Sequence, residues 1–292
     1  MKKKLIAAVS AAFIFSALSQ GFAQGNPDPK MYKIGDAEVW AIADFTGERA
    51  LDIFEGVDAK TLKKYIPSGK APSAVMTYLI KNGGETIIVD TGFGKGLMDG
   101  LEKLNIKQEE VTLVLITHMH GDHIGGLLKD EKVVFSNAKV KIGKIERDFW
   151  TDDSSEQQFP ARKANFDAAK KVVSVYGDSV EVFDYNDIVT ENIKALDASG
   201  HTPGQAAFLL ESQGEKLLFI ADVVHVEALQ FPRTDISSRY DMDPKQSAEA
   251  RERIFSVAAK EKIPVAGAHL IFPGIGKIKK HKKEGYIFVP EK

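Results

Sequence analysis

"THMHGDHIGG", residues 117–126, places His118, His120, Asp122 and His123 within six positions of a chain that has only seven histidines. Packing gives no reason for this crowding. Unpaired imidazoles and a carboxylate at the end of an apolar strand carry a desolvation cost. A bound cation removes it, because neutral imidazole and carboxylate are natural ligands. His118 and His120 alternate, so an extended segment can direct both at one ion. Asp122 and His123 follow the turning Gly121 and can face a second point. Gly125 and Gly126 allow close backbone approach as the chain enters the next helix.

Outward from this loop, the preceding "EEVTLVLITH" reads as a buried strand. Three later segments repeat the design of a ligand-type side chain where a strand gives way to a loop. "SGHTPGQAA" carries His201, "LLFIADVVH" carries Asp222, and "VAGAHLIFPG" carries His269. Further strands are expected at 37–44, 75–80, 86–92, 139–143, 179–184, 216–224 and 264–270, with "KNGGE" as a hairpin turn. The clearest helix is 243–262, with Asp243 as N-cap, Pro244 at the first position and Gln246 completing a capping-box-like pair. Ala250, Ile254, Val257 and Ala258 are expected on its buried face. A second helix is expected over 161–177.

The chain has 292 residues, a formal net charge of -2 and 43% apolar residues. No excess of either sign suggests a nucleic-acid groove or an anionic-membrane surface. With no cysteine, disulfides and thiolate ligands are excluded, so any metal site is all nitrogen and oxygen. "MKKK", then the apolar "LIAAVSAAFIFSAL", then Gly21 and Ala23 read as a secretory signal peptide over residues 1–23. The expectation is a periplasmic or secreted protein, free of the membrane after cleavage, with one domain over 24–292. Its expected partner is a small-molecule substrate, and self-association as a homodimer is left open.

The ordered set "VDTG" (89–92), "THMHGDHIGGL", "GHTPGQ", "ADVVH" and "AHL" resembles the metallo-β-lactamase-fold hydrolase superfamily over nearly the whole expected mature chain. The resemblance implies a four-layer αββα sandwich, an α/β fold with two divalent ions at one edge. His118, His120 and His201 would hold one ion. Asp122, His123 and His269 would hold the other, with Asp222 between them. His225 and His281 are read as non-ligands, and Asp90 as either a hydrogen-bond partner of a ligand histidine or a turn aspartate. Zinc leads, while manganese, iron or cobalt would also suit these donors.

Two adjacent cations would acidify a shared water enough for attack on a carbonyl or phosphoryl centre, with Asp122 as ligand and proton acceptor. Some β-lactamases of this superfamily use a cysteine where Asp222 stands. An aspartate there is similar to glyoxalase II, lactonases and organophosphate hydrolases. "ADVVHVEALQFP" and "AHLIFPGIGKI" look most like the exported branch that includes methyl parathion hydrolase and N-acyl-homoserine-lactone lactonases. The expected activity is therefore opening of lactones or related esters. Phosphotriester hydrolysis, β-lactam hydrolysis and metal binding without catalysis are the alternatives. Phe231, Phe272, Trp150 and Tyr240 are the expected substrate-binding residues, with Phe149, Trp150 and Phe159 as a candidate aromatic wall.

Overall fold

The computed structural model describes residues 26–291; the leader expected over residues 1–23 lies outside them. The strand sequences explain the layering. In "VWAIA", Val39, Ala41 and Ala43 join one core cluster, while Trp40 and Ile42 join another on the opposite face. Ile87 and Val89 likewise face one way and Ile88 the other, as do Leu217 and Phe219 against Leu218 and Ile220. A period of two in side-chain direction, with both faces apolar, describes strands buried on both sides.

Two seven-stranded sheets result. The first runs β1 (Lys30–Ile34), β2 (Ala37–Ala50), β3 (Lys70–Asn82), β4 (Glu85–Val89), β5 (Leu113–Ile116), β8 (Lys139–Gly143) and β9 (Val180–Phe183). Between β5 and β8 lies a small hairpin of β6 (Leu128–Lys129) and β7 (Lys132–Val133). The second sheet keeps chain order: β10 (Ile188–Thr190), β11 (Ile193–Asp197), β12 (Ala206–Ser212), β13 (Glu215–Ala221), β14 (Pro264–Gly267), β15 (Ile275–Lys280) and β16 (Tyr286–Pro290). Each sheet mixes antiparallel pairs with parallel ones, β4 to β9 in the first and β13 beside β14 in the second.

The inner faces of both sheets share one core, from Val39 and Leu115 to Phe208 and Phe219. On the outer face of the first sheet pack α2 (Lys95–Lys103), α4 (Lys144–Thr151) and α6 (Lys163–Tyr176), through Leu97, Trp150 and Phe166. On the outer face of the second lies α8 (Pro244–Glu261), through Ile254, Phe255 and Ala258. These are the four layers of an αββα sandwich. Short helices α1 (Ala59–Tyr65), α3 (Gly121–Ile124), α5 (Asp153–Gln158) and α7 (Glu227–Gln230) complete it.

Several expectations change in detail. Gly125 and Gly126 do not open a long helix; they form a single 3-10 turn (Gly125–Leu127) after the four-residue α3 and pack against the 91–94 turn. A Cβ on Gly126 would stand 2.5 Å from the Thr91 carbonyl oxygen. Asp243 does cap α8, accepting from the Gln246 amide at 2.9 Å, but the Gln246 side chain donates to Ser199 Oγ rather than closing a capping box. Val257 is exposed, because Phe255 and the fully buried Arg251 occupy the packed face.

Candidate metal centre

The histidine loop leaves β5 at Ile116 and turns into α3, so His118 and His120 precede the helix and Asp122 and His123 lie within its one turn. His201 comes from the turn between β11 and β12, Asp222 follows β13, and His269 follows β14. All seven therefore sit at the ends of the sheets. His118 Nε2 lies 3.1 Å from His120 Nδ1, and His201 Nε2 lies 3.0 Å from the same His120 atom. A second group joins Asp122, His123 and His269, with His269 Nε2 3.4 Å from Asp122 Oδ2. Asp222 serves both groups. Its Oδ1 is 3.1 Å from His123 Nε2, and its Oδ2 is 3.0 Å from His269 Nε2 and 3.3 Å from His201 Nε2.

These donors fit a pair of cations. His120 Nε2, His123 Nε2 and Asp222 Oδ1 are buried side-chain atoms without a hydrogen-bond partner, which a packed protein rarely tolerates. Burial holds the His118 and His120 pKa values well below the ordinary imidazole range, so their ring nitrogens are available as lone-pair donors. Burial also works against a charged His123, yet Asp222, Asp90 and Asp122 outweigh it and hold its pKa well above that range. The carboxylates thus call for positive charge at this point. Asp122 is the most open of the seven, with 25% of its side chain accessible.

Three of the rings are aimed by a partner on Nδ1. His123 Nδ1 donates to Asp90 Oδ2 at 2.8 Å, and Asp90 also accepts from the Thr117 amide and hydroxyl at 2.8 and 2.7 Å. His201 Nδ1 donates to Asp241 Oδ1 at 2.9 Å, and His269 Nδ1 donates to the Ala74 carbonyl at 2.8 Å. Such contacts fix tautomer and orientation. Asp90 and Ala221, the residue before Asp222, both have positive φ, 56° and 49°, although neither is glycine. Backbone held in this region at a strand end is a mark of constrained sites.

Two polar residues escaped the sequence reading, and a third was read only as a non-ligand. Asp241 is one. Its carboxyl is held down to about 2: burial opposes ionisation, but the hydrogen bond to His201 and the nearby Arg251 prevail. Glu146 is another. Its Oε1 accepts from the Met119 amide (2.9 Å) and Trp150 Nε1 (2.7 Å), and its Oε2 from Thr202 Oγ1 (2.8 Å) and the Gly204 amide (2.9 Å). One buried carboxylate therefore clasps the His118–His123 loop to the His201 turn. The third is His225, expected to be a non-ligand. It is 1% exposed, its Nε2 is 3.3 Å from Asp222 Oδ2, and its ring stacks on His269 at 5.1 Å. Its position three residues after Asp222 was the only sequence signal. His281 is exposed and away from the cluster.

The aromatic expectations need correction. Phe231 is core, stacked between Phe255 at 4.6 Å and Phe288 at 5.2 Å. Trp150 is fully buried and meets the edge of His120 at 5.5 Å, supporting the ring from behind instead of facing a substrate. Phe149 and Phe159 pack together and Phe149 on Phe166 of α6, so the aromatic wall is a helix interface. Phe272 is half-buried against the core between the sheets. Tyr240 does reach the site, with its ring 5.8 Å from that of His225.

This chain belongs to the metallo-β-lactamase superfamily, whose family model matches residues 71–260. Among solved structures it is similar to AidC, a dizinc quorum-quenching lactonase, with 26% identity, a TM-score of 0.83, and coverage of 91% of this chain and 98% of that one. It is equally similar to AbOPH, a hydrolase of the β-lactamase superfamily, at 27% identity, TM-score 0.83 and the same coverage. Among curated proteins, an atrochrysone carboxyl ACP thioesterase of Aspergillus chevalieri is 29% identical over 160 residues, 54% of this chain and 42% of that protein. Human acyl-coenzyme A thioesterase MBLAC2 is 24% identical over 51% of this chain and 57% of its own length. The chain thus matches about half the length of these curated relatives. Among the described residues no helix is long and apolar enough to cross a membrane.

Proposed function

We propose that this protein is a dinuclear-metal hydrolase that opens lactones or related esters, and that it is exported. The observation that carries the reading is Asp222, whose carboxylate lies between the two groups, with Oδ1 beside His123 and Oδ2 beside both His269 and His201. Zinc is the proposed metal, in line with AidC. Bound divalent ions would supply an acidified water and a Lewis acid.

The chain's own residues would do the rest. His118, His120 and His201 would hold one ion, and Asp122, His123 and His269 the other, with Asp222 between them. Asp122, alone of the seven in being more than marginally accessible, is placed to take up a proton as an ester is cleaved. Tyr240 stands at the edge, able to donate to a substrate oxygen. A lactone releases an alkoxide, whereas a β-lactam nitrogen must be protonated as it leaves, a proton that Asp122 or Tyr240 would have to deliver. We therefore expect kcat/KM for an acyl-homoserine lactone or simple γ-lactone to exceed that for a β-lactam by at least about two decades, roughly 3 kcal/mol. Both are assayed on one zinc-loaded preparation. Equal or better β-lactam turnover rejects the reading, and phosphotriester turnover without lactone turnover replaces it. Thioesters belong in the same panel, because two of the curated relatives are named as thioesterases.

A further inference from the structure

Three arginines converge on Tyr240 at the rim of the metal centre. The guanidinium carbon of Arg49 lies 5.9 Å from the Tyr240 ring centroid and that of Arg239 5.7 Å. Arg162 donates from Nη2 to the Tyr240 carbonyl at 2.9 Å. Arg239 is neutralised in part by Asp52 at 3.5 Å. Among the described residues, Arg49 and Arg162 have no carboxylate within ion-pair distance, although the surface around them is rich in such pairs. The nearby acid, Asp241, is already engaged by His201 at 2.9 Å and the Ser238 amide at 2.7 Å.

Arg49 is the more telling of the two. Its Nε donates to Ser73 Oγ at 3.3 Å, and its Nη2 lies 3.3 Å from His269 Nδ1. That nitrogen already gives its proton to the Ala74 carbonyl, so it offers Arg49 no lone pair. The two terminal nitrogens of Arg49 therefore carry donors without an acceptor, beside a residue proposed to hold an ion. Arg162 is half-buried, and its Nε and Nη1 have no acceptor either. A guanidinium presents a planar fork of donors suited to an oxyanion, and holding two half-buried without counter-charge is costly unless a ligand supplies one.

We propose that the site is built for esters or lactones that carry an anionic oxygen group, carboxylate or phosphate, with Arg49 as the principal and Arg162 as an auxiliary recognition residue. This rests on the ester-hydrolase reading above and narrows its substrate class. The test uses the zinc-loaded enzyme with 4-nitrophenyl butyrate, its analogue ending in a carboxylate (mono(4-nitrophenyl) glutarate), and a third ester ending in a phosphate. The anionic esters should show the higher kcat/KM, through lower KM, and the advantage should shrink as salt is raised, because screening acts over about 10 Å at 0.1 M. Arg49→Met should cost an anionic ester about tenfold more in kcat/KM than the neutral one, the size of one charge-assisted hydrogen bond. Arg49→Lys should restore part of the preference. Whichever anionic ester keeps the larger advantage identifies the group. Neutral ester turnover with no anionic preference, or an equal loss of both classes in Arg49→Met, overturns this proposal alone. Turnover of no ester or lactone overturns the hydrolase reading and this proposal together.

Discussion

Asp90 and His123, 33 residues apart in the chain, meet at 2.8 Å through Asp90 Oδ2 and His123 Nδ1. The same carboxylate accepts both the amide and the hydroxyl of Thr117. One side chain at the end of β4 therefore sets where the histidine loop begins and which way His123 points. An aspartate does this at the cost of a left-handed backbone, φ 56°.

Asp90→Asn retains the shape but removes the charge and turns one of the two acceptor oxygens into a donor NH2. Zinc affinity should fall by about 10- to 100-fold, the usual effect of losing a partner behind a metal-bound histidine. Calorimetric zinc titration reads this directly. Affinity equal to that of the native chain would show that Thr117 and the turn alone orient His123.

Glu146 predicts a stability effect of a different kind. Replacing it with Ala leaves the amides of Met119 and Gly204, Trp150 Nε1 and Thr202 Oγ1 buried without their acceptor. The expected loss is about 3–5 kcal/mol, read from urea unfolding, since each unsatisfied buried group costs about 1–3 kcal/mol and some will relax toward water. A loss below about 1 kcal/mol would mean the two loops are held together by other contacts.

His225 separates two accounts of the centre. It forms a possible donor group with His201 and Asp222, yet the seven other donors already suffice for two ions. His225→Asn should keep both zinc ions and lower kcat/KM about tenfold by loosening the stacking on His269, an effect of roughly 1.4 kcal/mol. Loss of one ion from this variant would instead place His225 among the ligands.

The leader proposal is checked by N-terminal mass spectrometry of the protein from its native host. A mature N-terminus near Gln24 is expected, and an intact Met1 would overturn it.

Much of this centre was legible in sequence because its ligands obey local rules. His118, His120, Asp122 and His123 share one loop, and His201, Asp222 and His269 each end an apolar run. Asp241 and Glu146 follow no such rule. Each is a single carboxylate brought to a histidine or a loop by tertiary packing, Asp241 from the segment before α8 and Glu146 from the first turn of α4. Aromatic residues misled for a related reason. Phe231 follows the Asp222 strand closely, but its stack with Phe255 and Phe288 depends on partners 24 and 57 residues away, which no local pattern reveals. The layer architecture was expected only from the family resemblance, and the strands apolar on both faces agree with it. The strands that went unread include β15, "IGKIKK", whose alternating lysines hide a sheet position near the edge.

The number of ions the seven donors hold tests the two-ion centre most directly. Metal-free mature protein reconstituted with excess zinc, desalted and assayed by elemental analysis should contain close to two zinc ions per chain, and Asp222→Ala close to one or fewer. A native stoichiometry of one or none would contradict the two-ion centre and the hydrolase mechanism drawn from it.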